Sequence, residues 1–112
     1  MAGANVWVKS GKVMDLQQNA TTTATGDWKY KDAPNSTIQA TVSGTGTVTP
    51  TVVIDVSNDG TNAVGTALGT ITLSGTTSAS DGFTTSAPWK YIRSRITAIS
   101  GTGATVYVNL GV

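Results

Sequence analysis

Thr51-Val52-Val53-Ile54-Asp55-Val56-Ser57, closed by Asn58-Asp59-Gly60, is the stretch that decides the fold. Val52, Ile54 and Val56 fall on one side of an extended chain, and Val53 and Asp55 on the other. That two-residue period is the mark of a strand with one face against a core. Asn, Asp and Gly then bend the backbone without help from elsewhere. Pro50 has no N–H to give to a ladder, so it belongs at the strand's start or on an edge.

The same period recurs outward in both directions. Upstream, Ile38, Ala40 and Val42 alternate with Thr37, Gln39, Thr41 and Ser43, and Gly44-Thr45-Gly46 reads as a turn. Downstream, Leu68–Ser74 places Ile71 and Leu73 together. Ser80-Asp81-Gly82 reads as another turn before a short strand at Phe83. Trp89–Ile99 reads as the longest strand, with Ile92, Ile96 and Ala98 on one face and Tyr91, Arg93, Arg95 and Thr97 on the other. Gly101-Thr102-Gly103 reads as a hairpin turn into Ala104–Leu110, where Val106, Val108 and Leu110 alternate with Tyr107 and Asn109. Earlier candidates are Val6-Trp7-Val8 and Lys12–Leu16, split by Ser10-Gly11. Residues 17–35 lack a period and read mostly as loop, with Trp28-Lys29-Tyr30 as a short strand or anchor.

Composition supports this reading. Thr supplies 21 residues, Val 12 and Ile 6, while Leu supplies four and Glu none. β-branched side chains suit a pleated surface, and strong helix formers are scarce. The expectation is an all-β, two-sheet antiparallel β-sandwich, jelly-roll-like or Ig-like, with about seven or eight strands. The chain, 112 residues long, suits one domain. Residues 1–35 would form N-terminal strands and an extended arm or loop region, and 36–112 the sandwich core. No array-type repeat is evident.

The functional classes narrow by what is missing. The chain has no Cys and no His. With Glu also absent, most metal ligands, nucleophiles and near-neutral general bases are gone. The expectation is therefore a non-enzyme without cofactor or metal. A net charge of +1 with mixed signs gives no footprint for nucleic acid or an anionic membrane. Met1-Ala2-Gly3-Ala4-Asn5 has no basic region and no apolar signal core, so no signal peptide is expected.

Three sets of residues carry possible chemistry. Asp55-Val56-Ser57-Asn58-Asp59-Gly60 resembles half of a calcium loop, but the twelfth position is Thr66 rather than a bidentate Glu, which favours a plain turn. Tyr91, Arg93 and Arg95 form an outer stripe of the residue types that anchor interfaces, or else a solvated face. As an interface stripe it would pair with Asp15, Asp27 or Asp32 of another subunit. Trp28, Lys29, Tyr30 and Lys31 interleave rings and positive charges, as single-strand nucleic-acid platforms do. With no basic groove beside them, they read better as an anchor pinning a long loop. Trp7 and Trp89 suit a core or, less simply, a sugar platform.

One ordered series carries a family resemblance. It runs Val53-Ile54-Asp55-Val56-Ser57-Asn58-Asp59-Gly60, Ala67-Leu68-Gly69-Thr70-Ile71-Thr72-Leu73-Ser74-Gly75, Ser80-Asp81-Gly82-Phe83, Ala87-Pro88-Trp89-Lys90-Tyr91-Ile92-Arg93 and Ile99-Ser100-Gly101-Thr102-Gly103-Ala104-Thr105-Val106-Tyr107-Val108. Over residues 50–112 the chain resembles the small β-sandwich structural proteins of tailed-bacteriophage virions, the capsid decoration or cement proteins. The resemblance implies a subunit that binds the major capsid protein and stabilises the shell against internal DNA pressure. It also implies self-association as a dimer or trimer, synthesis in the bacterial host cytoplasm, and a final place in the virion. The other role open to such a sandwich is a tail, baseplate or fibre module that binds host-surface carbohydrate, which would need Trp28 or Trp89 outside the core.

Overall fold

The computed structural model describes residues 13–31 and 34–112. The expected strand at Val6–Val8, Trp7 and Asp32 lie outside them. The described residues form nine strands: β1 (Val13–Ala20), β2 (Ala24–Thr25), β3 (Lys29–Tyr30), β4 (Ser36–Val48), β5 (Thr51–Ser57), β6 (Gly69–Thr72), β7 (Gly75–Thr85), β8 (Tyr91–Ala98) and β9 (Thr102–Gly111). They make two antiparallel sheets packed face to face. One runs β1-β9-β4-β7, and the other β2-β8-β5-β6, with β3 also pairing β8. The two-sheet β-sandwich expected from the alternation is the observed fold.

The inner rows are those the alternation marks. Ile38, Ala40, Val42, Val106, Val108 and Leu110 from the first sheet meet Val52, Ile54, Val56, Ile71, Ile92 and Ile96 from the second, all buried. Each of the Val, Ile and Leu side chains among them contributes about 1.5–3 kcal/mol by leaving water. Trp89 packs against this core from its margin. Pro50 directly precedes β5, and its carbonyl accepts the Leu73 N–H at 3.0 Å.

Five sequence expectations give way. Gly44-Thr45-Gly46 is no turn: β4 continues through it as a bulge, with register shifts against β7 and β9, and Gly46 takes φ +89° to make it. Ser80-Asp81-Gly82 is no turn either, because β7 runs straight from Ser78 to Thr85 beside β4. Long pairing outweighs the local preference of these residues for bends. Gly101 does not close a hairpin. β8 and β9 lie in different sheets, and Gly101, at φ +116°, carries the chain across the sandwich. Finally, the loop expected over 17–35 contains the end of β1 and both β2 and β3, and the longest strand is β4 rather than β8. β1 is recruited by the open side of β9, although Leu16 is its one fully buried apolar residue.

Among the described residues, β7 from Ser78 to Thr85 is the one long regular edge. β6 is four residues long, β2 and β3 are two each, and β1 is broken by two register shifts. Open edges invite pairing with other chains. Asp81 stands opposite Ala40, on the core-facing row of β7, and its Oδ1 accepts the Gly82 N–H at 2.8 Å. A strand N–H is thus satisfied by the neighbouring carboxylate, and a charge is set where a docking strand would have to bury it. Asp81→Val is expected to make apparent mass rise with concentration in light scattering, whereas Asp81→Asn, which keeps an acceptor but not the charge, should fall between Asp81→Val and wild type. Equal masses for Asp81→Val and wild type at all concentrations would remove this role.

Candidate partner-binding face

β8 sits inside its sheet, between β5 on one side and β2 and β3 on the other. Its alternation turns Ile92, Ser94 and Ile96 into the core and leaves Tyr91, Arg93 and Arg95 on the outer face. Residues directly opposite one another on paired strands share a face. The register therefore assigns the neighbours: Asp55 stands opposite Arg93, and Tyr30 opposite Tyr91.

Asp55 joins the two arginines. Its Oδ2 accepts Nε of Arg93 at 3.1 Å and Nε of Arg95 at 3.0 Å, and its Oδ1 accepts Nη2 of Arg95 at 3.2 Å. The Asp55 side chain is 5% exposed, against 22% for Arg93 and 39% for Arg95. Burial alone would raise the Asp55 pKa. Hydrogen bonds from Arg95 and Arg93, with their charges, outweigh it and hold the carboxyl below its ordinary range. The same contact raises Arg95.

Aromatic side chains frame this cluster. The Trp28 ring lies against the Arg93 guanidinium, with Cζ 4.4 Å from the ring centroid. Tyr30 and Tyr91 meet edge to face, 5.5 Å between centroids and 73° between planes. The turn after β5 lies against Tyr91: a side chain at Gly60 would meet its ring at 3.1 Å. That turn is tied by Asp59, whose Oδ1 accepts the N–H groups of Thr61 and Asn62, each at 2.8 Å, and the Ser57 hydroxyl at 2.7 Å. These donors, the Asn62 backbone N–H foremost, hold the Asp59 carboxyl far below the usual range. Its oxygens serve the turn. Among the described residues, no three His, Cys, Asp or Glu side chains gather as a metal set.

Trp28, Tyr30, Tyr91, Arg93 and Arg95 thus share one face, although the sequence presents them as two separate groups. Lys29 and Lys31 do not join them. Lys29 pairs with Ile92 and so leaves by the other face, towards a shallow polar depression beside Asp15, Gln17 and Asp27. Lys31 is 2% exposed, and its Nζ donates to the Ala87 carbonyl at 2.9 Å and the Pro34 carbonyl at 3.3 Å. Burial first, and then the Lys90 charge, lowers its pKa.

Asp55 is the residue that sequence reasoning missed as a partner. The acids expected opposite the arginines were Asp15, Asp27 and Asp32 of another subunit, whereas both Nε groups go to Asp55 of the same chain. Asp15 instead accepts Gln18 Nε2 at 2.6 Å and Asn109 Nδ2 at 3.1 Å. A signal did exist. A carboxylate within a run as apolar as Val52–Val56 needs a partner, and the chain has only two arginines, both at outward positions of another strand.

The fold and this face define a class: an antiparallel β-sandwich with an aromatic–arginine surface on one sheet. In fold, the chain is similar to the SPBc2 prophage-derived protein YomS, with a TM-score of 0.61 and 8% identity, covering 97% of this chain and 98% of that one. It is also similar to the PBSX exported protein XepA, with a TM-score of 0.50 and 12% identity over 93% of this chain. It spans 38% of the XepA chain. At these identities the likeness is one of fold. The sequence matches no family model and no curated protein.

Proposed function

We propose that this protein is a non-enzymatic structural subunit of a tailed-phage virion, a capsid decoration protein that binds the major capsid protein and stabilises the shell. The observation that carries the reading is the fold shared with a prophage-derived protein along nearly the whole of both chains. The outer face of β8 supports a binding role. Its side chains are held by β3, β5 and the turn at Gly60 before any partner arrives, which lowers the ordering cost of association. Tyr, Trp and Arg are also the side chains that dominate interface energetics. Self-association as a dimer or trimer belongs to the same reading.

The test is solution mass by light scattering, together with co-sedimentation with phage capsid shells that lack this protein. A defined oligomer that pellets with the shells supports decoration. A monomer left in the supernatant overturns it. One observation favours a second reading, a tail or fibre module for host-surface carbohydrate: Trp28 stands outside the core, near the exposed Tyr30. Retention on a glycan panel, lost in Trp28→Ala, would support that reading instead.

A further inference from the structure

The two arginines of this face do not spend their hydrogen bonds equally. Arg95 gives both Nε and Nη2 to Asp55. Arg93 gives Asp55 only its Nε, and its two terminal nitrogens donate to nothing among the described residues. The group is nevertheless fixed, by Asp55 at its root and by the Trp28 ring across its plane. A guanidinium carries five N–H donors in a rigid fork matched to planar anions, and Arg93 has the outer part of that fork unspent. Two guanidiniums against one carboxylate also leave one positive charge unbalanced.

We propose that the Arg93 fork receives a carboxylate of a partner protein, with Tyr30 and Tyr91 as the aromatic contacts beside it. This rests on the reading above that the chain binds another protein, and it names the chemistry of that contact. Charge complementarity argues for the acidic occupant. Geometry argues against a sugar: Tyr30 and Tyr91 are steeply inclined to each other, and one face of Trp28 is covered by the guanidinium, so the rings offer no flat shared platform. A second copy of the chain has few carboxylates to offer: Asp55 is buried against the arginines, the Asp59 oxygens are taken up by its turn, and the sequence has no glutamate. The occupant that charge complementarity favours is a different protein, presenting Asp or Glu beside an apolar group.

The experiment uses peptides immobilised at high density in matched pairs that differ only in Glu or Gln beside a Phe, with a glycan panel alongside. Wild type, Arg93→Lys and Tyr30→Ala are compared. Lysine keeps the charge next to Asp55 but not the fork, so thermal unfolding of that variant should stay close to wild type. The expected result is retention on the Glu members about tenfold above the Gln members, a preference that Arg93→Lys loses and Tyr30→Ala weakens. Equal retention on Glu and Gln, no effect of Arg93→Lys, or retention on glycans alone overturns the proposal. The outcomes separate from those for the capsid reading. Glu-dependent retention without shell binding sinks decoration alone. Shell binding that Arg93→Lys leaves unchanged sinks the carboxylate contact alone.

Discussion

Asp55→Ala is expected to destabilise the protein by about 2–3 kcal/mol, lowering the thermal midpoint by roughly 10–15 °C. The substitution leaves Arg93 and Arg95 side by side with no carboxylate between them. Breaking a fully buried pair costs about 3–5 kcal/mol, and the lower figure allows for water reaching both guanidiniums. Asp55→Asn keeps an acceptor without the charge and should fall between the two. The pH dependence has a definite sign. The folded-state pKa of Asp55 lies below the ordinary 3.8. Its contribution therefore stands in full above that value and is lost as the pH falls through the folded-state pKa. Thermal midpoints of wild type and Asp55→Asn, followed from neutral pH into acid, should converge. The strongly perturbed Asp59 titrates in both proteins and cancels from the difference. A constant gap down to pH 2 would show that the arginines do not depend on the Asp55 charge. The same geometry makes the double change Arg93→Ala with Arg95→Ala a poor probe of the surface, since it would strand a buried carboxylate.

The second large effect lies at a residue that resembles turn punctuation. Gly82→Ala is expected to cost about 3 kcal/mol, the upper end of the usual cost of overpacking. A Cβ at this position would stand 2.2 Å from the Ile38 carbonyl oxygen and 3.2 Å from the Gln39 Cα. Both are backbone atoms of β4 and cannot swing aside, so β7 would have to lift from its neighbour. Gly65→Ala is the control, because nothing lies within 4 Å of a Cβ there. Chemical denaturation of the two variants would decide the matter. Similar midpoints for both would mean that β7 yields at little cost.

Gly82 also shows where sequence reasoning stops. Alternation at Val52, Ile54 and Val56, at Ile38, Ala40 and Val42, and at Val106, Val108 and Leu110 is a local pattern with one physical cause, and it identified the core rows correctly. Ser80-Asp81-Gly82 and Gly44-Thr45-Gly46 have the composition of bends, and only pairing with distant strands holds them extended. A glycine needed for close approach of two strands is indistinguishable, in sequence, from one needed for a turn. Gly101 poses the same difficulty: the residue announces a change of direction, but not whether the chain returns to the same sheet. The candidate face was half legible. Tyr91, Arg93 and Arg95 declare a shared side because they sit two apart on one strand. Trp28 and Tyr30 reach them through a two-residue pairing of β3 with β8, too short to leave a periodic trace. Asp55 faces Arg93 across a register that no local pattern encodes.

The position of β9 bears on how the molecule comes into being. Last in chain order among the described strands, it lies between β1 and β4, so the sheet that holds half of the core lacks its middle until residues 102–111 have been made. A ribosome adding about 5–20 residues per second leaves β4 without this neighbour for roughly 3–12 s. β5 with β6, by contrast, can pair as soon as both emerge. The nascent chain thus passes through a stage in which one layer is assembling and the other is a gap flanked by two waiting strands. Any strand supplied by another nascent chain on the same message could fill that gap. The protein's own β9 has to arrive before a foreign strand does.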